Sequence, residues 1–368
     1  MYDHSIFKGI GFVPSYIDNR CSIRKATEYI GELGAECVRL WHPFSFNMDA
    51  PDHLLARETD YMHEAIYELR RQGVRHIISL NHDWFTPCEN GQPQFRGFAL
   101  PHRDTKAYQD TLELLKLAWY TQAKEFSDVD GWETGNEMNH IPFCHASDAE
   151  TRGEFTLEER ADICTDFMFL TAAEIRKSKP DSVIVMPGMA PIGGNRIGVF
   201  AENVAVEYDG ILRTLDRIYT NIESGQFGST DPRAFFDKLC WHPYYAKQDN
   251  TGAWSLLCPD DEWVDINRSI YAVAEAHGDG NVGCYLSEYG FNDEGDPEKD
   301  NRLADYIISG LKLTHEKMPF VETVQVYRLF DYMNVPGVWD EYSLCDCHTP
   351  EIKKKAKYQM LKDYYHSL

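Results

Sequence analysis

The stretch Ile23-Arg24-Lys25-Ala26-Thr27-Glu28-Tyr29-Ile30-Gly31-Glu32-Leu33-Gly34-Ala35-Glu36-Cys37-Val38-Arg39-Leu40-Trp41 contains one copy of the pattern that decides the fold. From Ile23 to Leu33 the apolar residues recur at helical spacing. Gly34 stands where a glycine ends a helix, and Cys37–Trp41 is a short apolar run of strand length. The succession repeats along the chain. Strands are predicted at Phe7–Pro14, Cys37–Trp41, His76–His82, Gly131–Glu137, Ser182–Pro187, Lys238–Tyr244, Val282–Tyr289 and Thr323–Phe330. Helices are predicted at Ile23–Leu33, Asp60–Gln72, Thr105–Phe126, Leu157–Lys177, Asp209–Glu223, Asp261–His277, Lys299–Lys317 and Ile352–Tyr365, with Gly73 and Gly278 placed like Gly34. Unbroken apolar runs suit parallel strands covered on both faces. Strand then helix, eight times, predicts an α/β fold, the (β/α)₈ barrel. A doubly wound open sheet is the runner-up. It would carry a glycine-rich turn after its first strand, and none follows Phe7–Pro14.

The 368 residues exceed the roughly 250 of a bare barrel and leave about 100 for loops. No Ser/Gly/Pro linker interrupts the pattern, so one catalytic domain over residues 1–368 is expected. The long connections are Trp84–Arg103, Met138–Thr156, Gly188–Tyr208, Tyr245–Pro259 and Asp331–Glu351. All follow strands, so all gather at the C-terminal face, where barrel enzymes build their sites.

A net charge of −23 repels phosphate backbones and anionic membranes, which argues against nucleic acid or a membrane as partner. Neutral carbohydrate is indifferent to it, and an aromatic fraction of 13% supplies flat faces for sugar rings. Ten cysteines show no disulfide framework, and several lie inside apolar runs. A reducing compartment fits them best. The N-terminal residues lack a basic and an apolar leader segment, so a cytoplasmic location is expected. The sequence is silent on oligomeric state.

Two carboxylates stand at strand ends. Glu137 closes Gly131-Trp132-Glu133-Thr134-Gly135-Asn136-Glu137 at the fourth strand, and Glu288 lies in Tyr285-Leu286-Ser287-Glu288-Tyr289-Gly290 at the seventh. Across one barrel mouth they would face each other. Glycosidic cleavage needs such a pair, one to protonate the departing oxygen and one to attack the anomeric carbon or activate water.

The Asn136-Glu137 pair and Glu288 resemble the signature of clan A of the glycoside hydrolases, which includes families 5 and 39. The resemblance implies Glu137 as acid/base, Glu288 as nucleophile and retention of configuration at a β-glycoside, and several strand ends extend it. Arg39 resembles the clan's second-strand arginine beside the nucleophile. His242-Pro243-Tyr244 resembles the His-x-Tyr of the sixth strand, with Tyr244 bonded to the nucleophile and His242 by the acid/base or the sugar. Asn136 would hold the sugar 2-hydroxyl. In Asn81-His82-Asp83-Trp84, His82 and Trp84 would line the sugar-binding subsite at the cleavage point. The expected geometry is a carboxyl separation of about 5–5.5 Å, with Glu137 titrating above Glu288.

One stretch departs from the clan. Its usual Trp at the end of strand eight is replaced by Val326-Tyr327-Arg328-Leu329-Phe330. Either Tyr327 takes that place, or Arg328 enters the site to meet a sugar carboxylate, or Arg328 forms a structural ion pair. No metal or other cofactor is expected. Cys345-Asp346-Cys347-His348 lacks the second half-site that zinc needs. The function expected is a retaining glycosidase, exo-acting on oligosaccharides or small glycosides. The alternatives are an endo-β-glycanase with an open cleft, a metal-dependent barrel such as a sugar isomerase or amidohydrolase, and a sugar-binding barrel without catalysis.

Overall fold

The computed structural model describes residues 2–14, 21–41, 46–47, 50–54, 56–82, 85–87, 93–95, 98–192, 209–248, 254–335, 338–349 and 351–368. Eight parallel strands close on themselves: β1 (Lys8–Phe12), β2 (Cys37–Trp41), β3 (His76–Leu80), β4 (Gly131–Glu133), β5 (Val183–Val185), β6 (Lys238–Trp241), β7 (Gly283–Tyr289) and β8 (Val321–Val326). Each pairs with its neighbours in sequence order, and β8 returns to β1. The chain has the predicted (β/α)₈ barrel.

The outer ring is α1 (Ile23–Leu33), α2 (Ala56–Arg71), α3 (Lys106–Glu125), α4 (Leu157–Ser178), α5 (Asp209–Ser224), α6 (Asp261–Ala276), α7 (Pro297–Lys317) and α8 (Ala356–Ser367). Side chains start several of them. Ser22 and Thr105 accept from the backbone N–H three residues on, and Thr156 forms a capping box with Glu159. Gly34 ends α1 with φ 76°, a conformation that penalises any side chain bearing a Cβ.

The period of two along each strand sorts the residues by face. Val38, Leu40 and Ile77 belong to the continuous apolar cluster between barrel and helices. Some of the alternate positions carry inward polar side chains: Arg39 and Glu133 are buried there beside Cys240, Ser287 and Gln325. Register places Arg39 between Gly11 and Ile78, and Glu133 between Leu80 and Val185. A charged pair inside a barrel costs desolvation and is tolerated only when fully bonded.

Two strand ends break the alternation. Between β7 and β8 the register shifts between Leu286 and Tyr289. Such a bulge re-aims side chains, and the consecutive residues Ser287 and Glu288 both reach interior partners. The predicted fourth strand ends early, at Glu133. Asn136 makes one isolated bridge to Gly188, and Glu137 sits at φ 47°. Strained non-glycine backbone of that kind clusters at functional sites.

Candidate active site

Arg39 organises the site from β2. Its Nε donates to Glu133 Oε2 at 2.6 Å and its Nη2 to Glu133 Oε1 at 2.9 Å, a bidentate clasp. The same Nη2 donates to Asn136 Oδ1 at 2.8 Å, and Nη1 donates to Glu288 Oε1 at 2.5 Å. Burial lowers the guanidinium's pKa, but the charges of Glu133 and Glu288 outweigh this and raise it further. Arg39 is a fixed cation. Tyr244 donates its hydroxyl to Glu288 Oε2 at 2.8 Å. Burial and the Glu288 charge push that phenol well above its usual range, so it stays a donor.

Glu137 faces two imidazoles. His242 Nδ1 lies 2.8 Å from its Oε1, and His140 Nδ1 lies 3.7 Å from its Oε2. His242 Nδ1 is also 3.7 Å from Glu288 Oε2. The other nitrogen, Nε2, meets Ser287 Oγ at 3.2 Å. Ser287 donates its own proton to Glu133 Oε1 and accepts from the Cys240 thiol. Nε2 is therefore the donor to Ser287, and any exchangeable proton of the pair lies between Nδ1 and Glu137 Oε1. Burial raises the Glu137 carboxyl, but the His140 imidazole beside it and the hydrogen bond and charge of His242 overcome this and hold the group at about 2. Burial lowers His242, while the Glu288 charge and the Glu137 hydrogen bond more than restore it and raise it above 6.5. These shifts favour the proton of the pair on His242. This is opposite to the expectation that Glu137 would hold its proton near neutral pH.

One carboxylate oxygen of Glu137, one of Glu288 and a ring nitrogen of His242 all lie within 4.8 Å of one another. Such a trio could hold a cation, as could Asp331, Asp346 and His348 below the loop that follows β8. In the second group His348 lies between carboxylates, with Nε2 3.3 Å from Asp331 and Nδ1 3.6 Å from Asp346, and the Lys355 ammonium is 3.3 Å from Asp331. That arrangement is already an ion-pair network. The thiols of the zinc reading take no part in the trio: Cys345 is buried, and Cys347 donates to the Asp331 carbonyl.

A cavity of about 430 Å³ opens over Glu137 and Glu288 and is also lined by His140, Tyr244, Tyr327 and Tyr342. Tyr342 rests edge-on against Tyr244 and Tyr327, at ring-centroid distances of 5.9 and 5.8 Å. Three tyrosines thus line the cavity, and Tyr342 comes from the connection after the eighth strand.

Three of the expected sugar contacts fall elsewhere. Arg328 is not among the residues that line this cavity. It donates to the Phe330 carbonyl at 2.9 Å, to the Tyr327 hydroxyl and to Asp340 at 3.1 Å. His82 is buried and bonded at both nitrogens: Nδ1 accepts from the Asn136 N–H at 2.5 Å, and Nε2 donates to the Phe143 carbonyl at 2.7 Å. Burial brings its pKa down to about 4, so it is neutral. It holds the backbone before Glu137 and does not line the cavity. Asn136 commits its Oδ1 to Arg39 and is likewise absent from the cavity lining. Trp84 lies outside the described residues.

Glu133 was the main omission. An interior carboxylate four residues before Glu137 reads in sequence as part of the strand, and only the partner of Arg39 reveals its role. Gly188 supports it by close approach. The Gly188 N–H donates to Glu133 at 3.2 Å and its carbonyl accepts from the Glu137 N–H at 2.7 Å. A Cβ at Gly188 would collide with His242 and come within 2.8 Å of Ser287 and 2.9 Å of Glu133.

Among solved structures, the chain is similar to a beta-glycosidase (TM-score 0.68, 12% identity, 100% of this chain and 97% of that one). It is also similar to a family 5 broad-specificity endoglucanase from Clostridium longisporum (0.65, 13%, 100% and 99%). A family 1 beta-glucosidase from Thermotoga maritima gives 0.59, 13%, 99% and 98%. The chain shares their fold. No family model matches its sequence, and no curated protein does. Among the described residues no helix is long and apolar enough to cross a membrane.

Proposed function

We propose that the protein is a retaining β-glycosidase of the clan A kind, a single catalytic unit, with Glu288 as nucleophile and Glu137 as acid/base. The observation that carries this is that an oxygen of one carboxylate lies within 4.8 Å of an oxygen of the other at the mouth of the barrel. Retaining pairs stand about 5–5.5 Å apart, and inverting pairs need about 6.5–9.5 Å to admit a water. The glycosidases that share the fold agree with this reading.

In the proposed reaction Glu288, paired with Arg39 and aimed by it and by Tyr244, forms a bond from a carboxylate oxygen to the anomeric carbon. The bond from that carbon to the leaving oxygen breaks, and the leaving oxygen takes a proton from Glu137. The alcohol departs. Glu137, now a carboxylate, takes a proton from water as the water oxygen attacks the anomeric carbon and releases Glu288. Before substrate binds, the proton rests on His242, 2.8 Å from Glu137. A sugar that fills the cavity expels water and favours the uncharged pair, which moves the proton to Glu137.

A cavity of about 430 Å³ lies within the roughly 300–1,000 Å³ of small-molecule sites, which supports small glycosides or short oligosaccharides. The pairing of Arg328 with Asp340 favours a neutral sugar over a uronic acid. The test is a screen of aryl β-glycosides in gluco, galacto, xylo, arabino and glucurono forms, with NMR of the first-formed anomer. Release of the β anomer is expected. An α anomer, or no cleavage of any member, overturns the reading.

A further inference from the structure

We infer that His140 is a binding residue for the departing group of the substrate, contacting a hydroxyl on the sugar released in the first step. The inference rests on the glycosidase reading above and adds a recognition site to it. His140 lines the cavity shared by Glu137 and Glu288. Both of its ring nitrogens are buried, and among the described residues neither has a hydrogen-bond partner. Buried polar atoms are nearly always bonded, and each exception calls for an explanation. A bound molecule that supplies the missing partner is one.

Position indicates which part of the substrate that is. Glu137 Oε1 is bonded to His242, which also approaches Glu288. Oε2 is 3.7 Å from His140. The glycosidic oxygen must reach Glu137 to take its proton, so the group it carries away lies on the flank of Glu137, while the attacked ring lies at Glu288. The wall beyond His140 is Ala190, Pro191 and Ile192, an apolar surface suited to a sugar face. A sugar leaving group there has an apolar support and one polar handle.

The handle is held firmly. The His140 N–H donates to the Glu137 carbonyl at 2.7 Å. Its neighbour Asn139 is bonded to Ala190 in both directions, donating at 2.9 Å and accepting at 3.0 Å. The backbone is thus fixed, while the terminal torsion of the ring is soft. A small ring rotation turns a nitrogen onto an incoming hydroxyl.

The experiment compares two substrates of one glycon that the wild type cleaves: its 4-nitrophenyl β-glycoside, with no hydroxyl beside the reacting oxygen, and the corresponding β-linked disaccharide. His140→Ala alters the surroundings of Glu137 for both, so the readout is the ratio of their kcat/KM values. Loss of the aryl substrate by a few-fold and of the disaccharide by about ten- to a hundredfold more is expected, because a site that bonds a hydroxyl discriminates strongly through it. His140→Asn should recover part of the ratio. In the aryl reaction with added acceptor sugar, His140→Ala should also lower transglycosylation relative to hydrolysis, since the acceptor enters by the same site. Equal losses on both substrates, with wild-type melting behaviour, overturn the inference and leave the glycosidase reading intact. Failure of the wild type to cleave either substrate overturns both.

Discussion

Arg39 and Glu288 are joined at 2.5 Å, by the one guanidinium nitrogen that the clasp on Glu133 leaves free. The counter-charge of Glu288 is therefore aimed by a second carboxylate inside the barrel. A lysine at position 39 could not serve both, because a point charge lacks the fork that makes the clasp.

The first prediction follows from that arrangement. Glu133→Ala leaves a buried guanidinium with a single carboxylate. Breaking a buried pair costs about 3–5 kcal/mol, and the low end is expected because Glu288 and Asn136 remain. Urea unfolding of wild type and variant measures it. A change below about 1 kcal/mol, with activity intact, would show that Glu133 does not orient Arg39.

The barrel and the two carboxylates were legible in sequence because both depend on local pattern. Buried parallel strands give apolar runs such as Cys37–Trp41, and helices such as α1 end on glycine. The fate of individual polar side chains was not legible, because it depends on contacts between distant strands. His82 looked like a sugar ligand until the Asn136 N–H and the Phe143 carbonyl took its two nitrogens. Arg328 could have faced either way, and Asp340, across a loop, decides it. His140 and Tyr342 sit in long connections, where no periodicity marks an inward side chain. Glu133 was hidden by the strand it belongs to.

The second prediction concerns Arg328. Its side chain and that of Asp340 form a pair next to Tyr342, and the Leu344 N–H donates to the Arg328 carbonyl at 2.8 Å. Arg328→Met should destabilise the fold by about 3 kcal/mol, as broken buried pairs do. The ratio of kcat/KM for a β-glucuronide to that for a β-glucoside should stay the same. A wild type that prefers the glucuronide, with the preference lost in Arg328→Met, would place Arg328 at the sugar carboxylate.

The third prediction is a pH profile of stability. Glu137 is depressed from 4.5 to about 2, so its contribution is present above 4.5 and lost as pH falls from there through about 2. His242 is raised above 6.5, so its contribution is complete below 6.5 and lost as pH rises through its folded value. The pair stabilises most between these limits. The difference in unfolding free energy between wild type and Glu137→Gln should peak between about pH 4.5 and 6.5 and shrink on both sides. A difference that keeps growing above pH 7 would mean that the proton does not rest on His242.

The fourth prediction separates the roles of the two carboxylates by stereochemistry. Glu288→Ala removes the atom that bonds the anomeric carbon, so nearly all turnover should vanish. Azide can occupy the vacated space and attack from the side that Glu288 used. The leaving group departs from the opposite face, so the product is the inverted α-glycosyl azide. Glu137→Ala keeps the nucleophile and loses the proton donor. A 4-nitrophenyl leaving group needs little protonation, so its first step should survive better than that of a disaccharide, and the covalent intermediate should accumulate because no base activates water. Azide needs no base. It should release that intermediate by a second inversion and give the β-glycosyl azide. The two rescues differ because Glu137 works in both steps while Glu288 makes the bond. NMR of the azide products reads the outcome directly. An α product from Glu137→Ala together with a β product from Glu288→Ala would reverse the assignment, and wild-type activity in either variant would place the chemistry elsewhere.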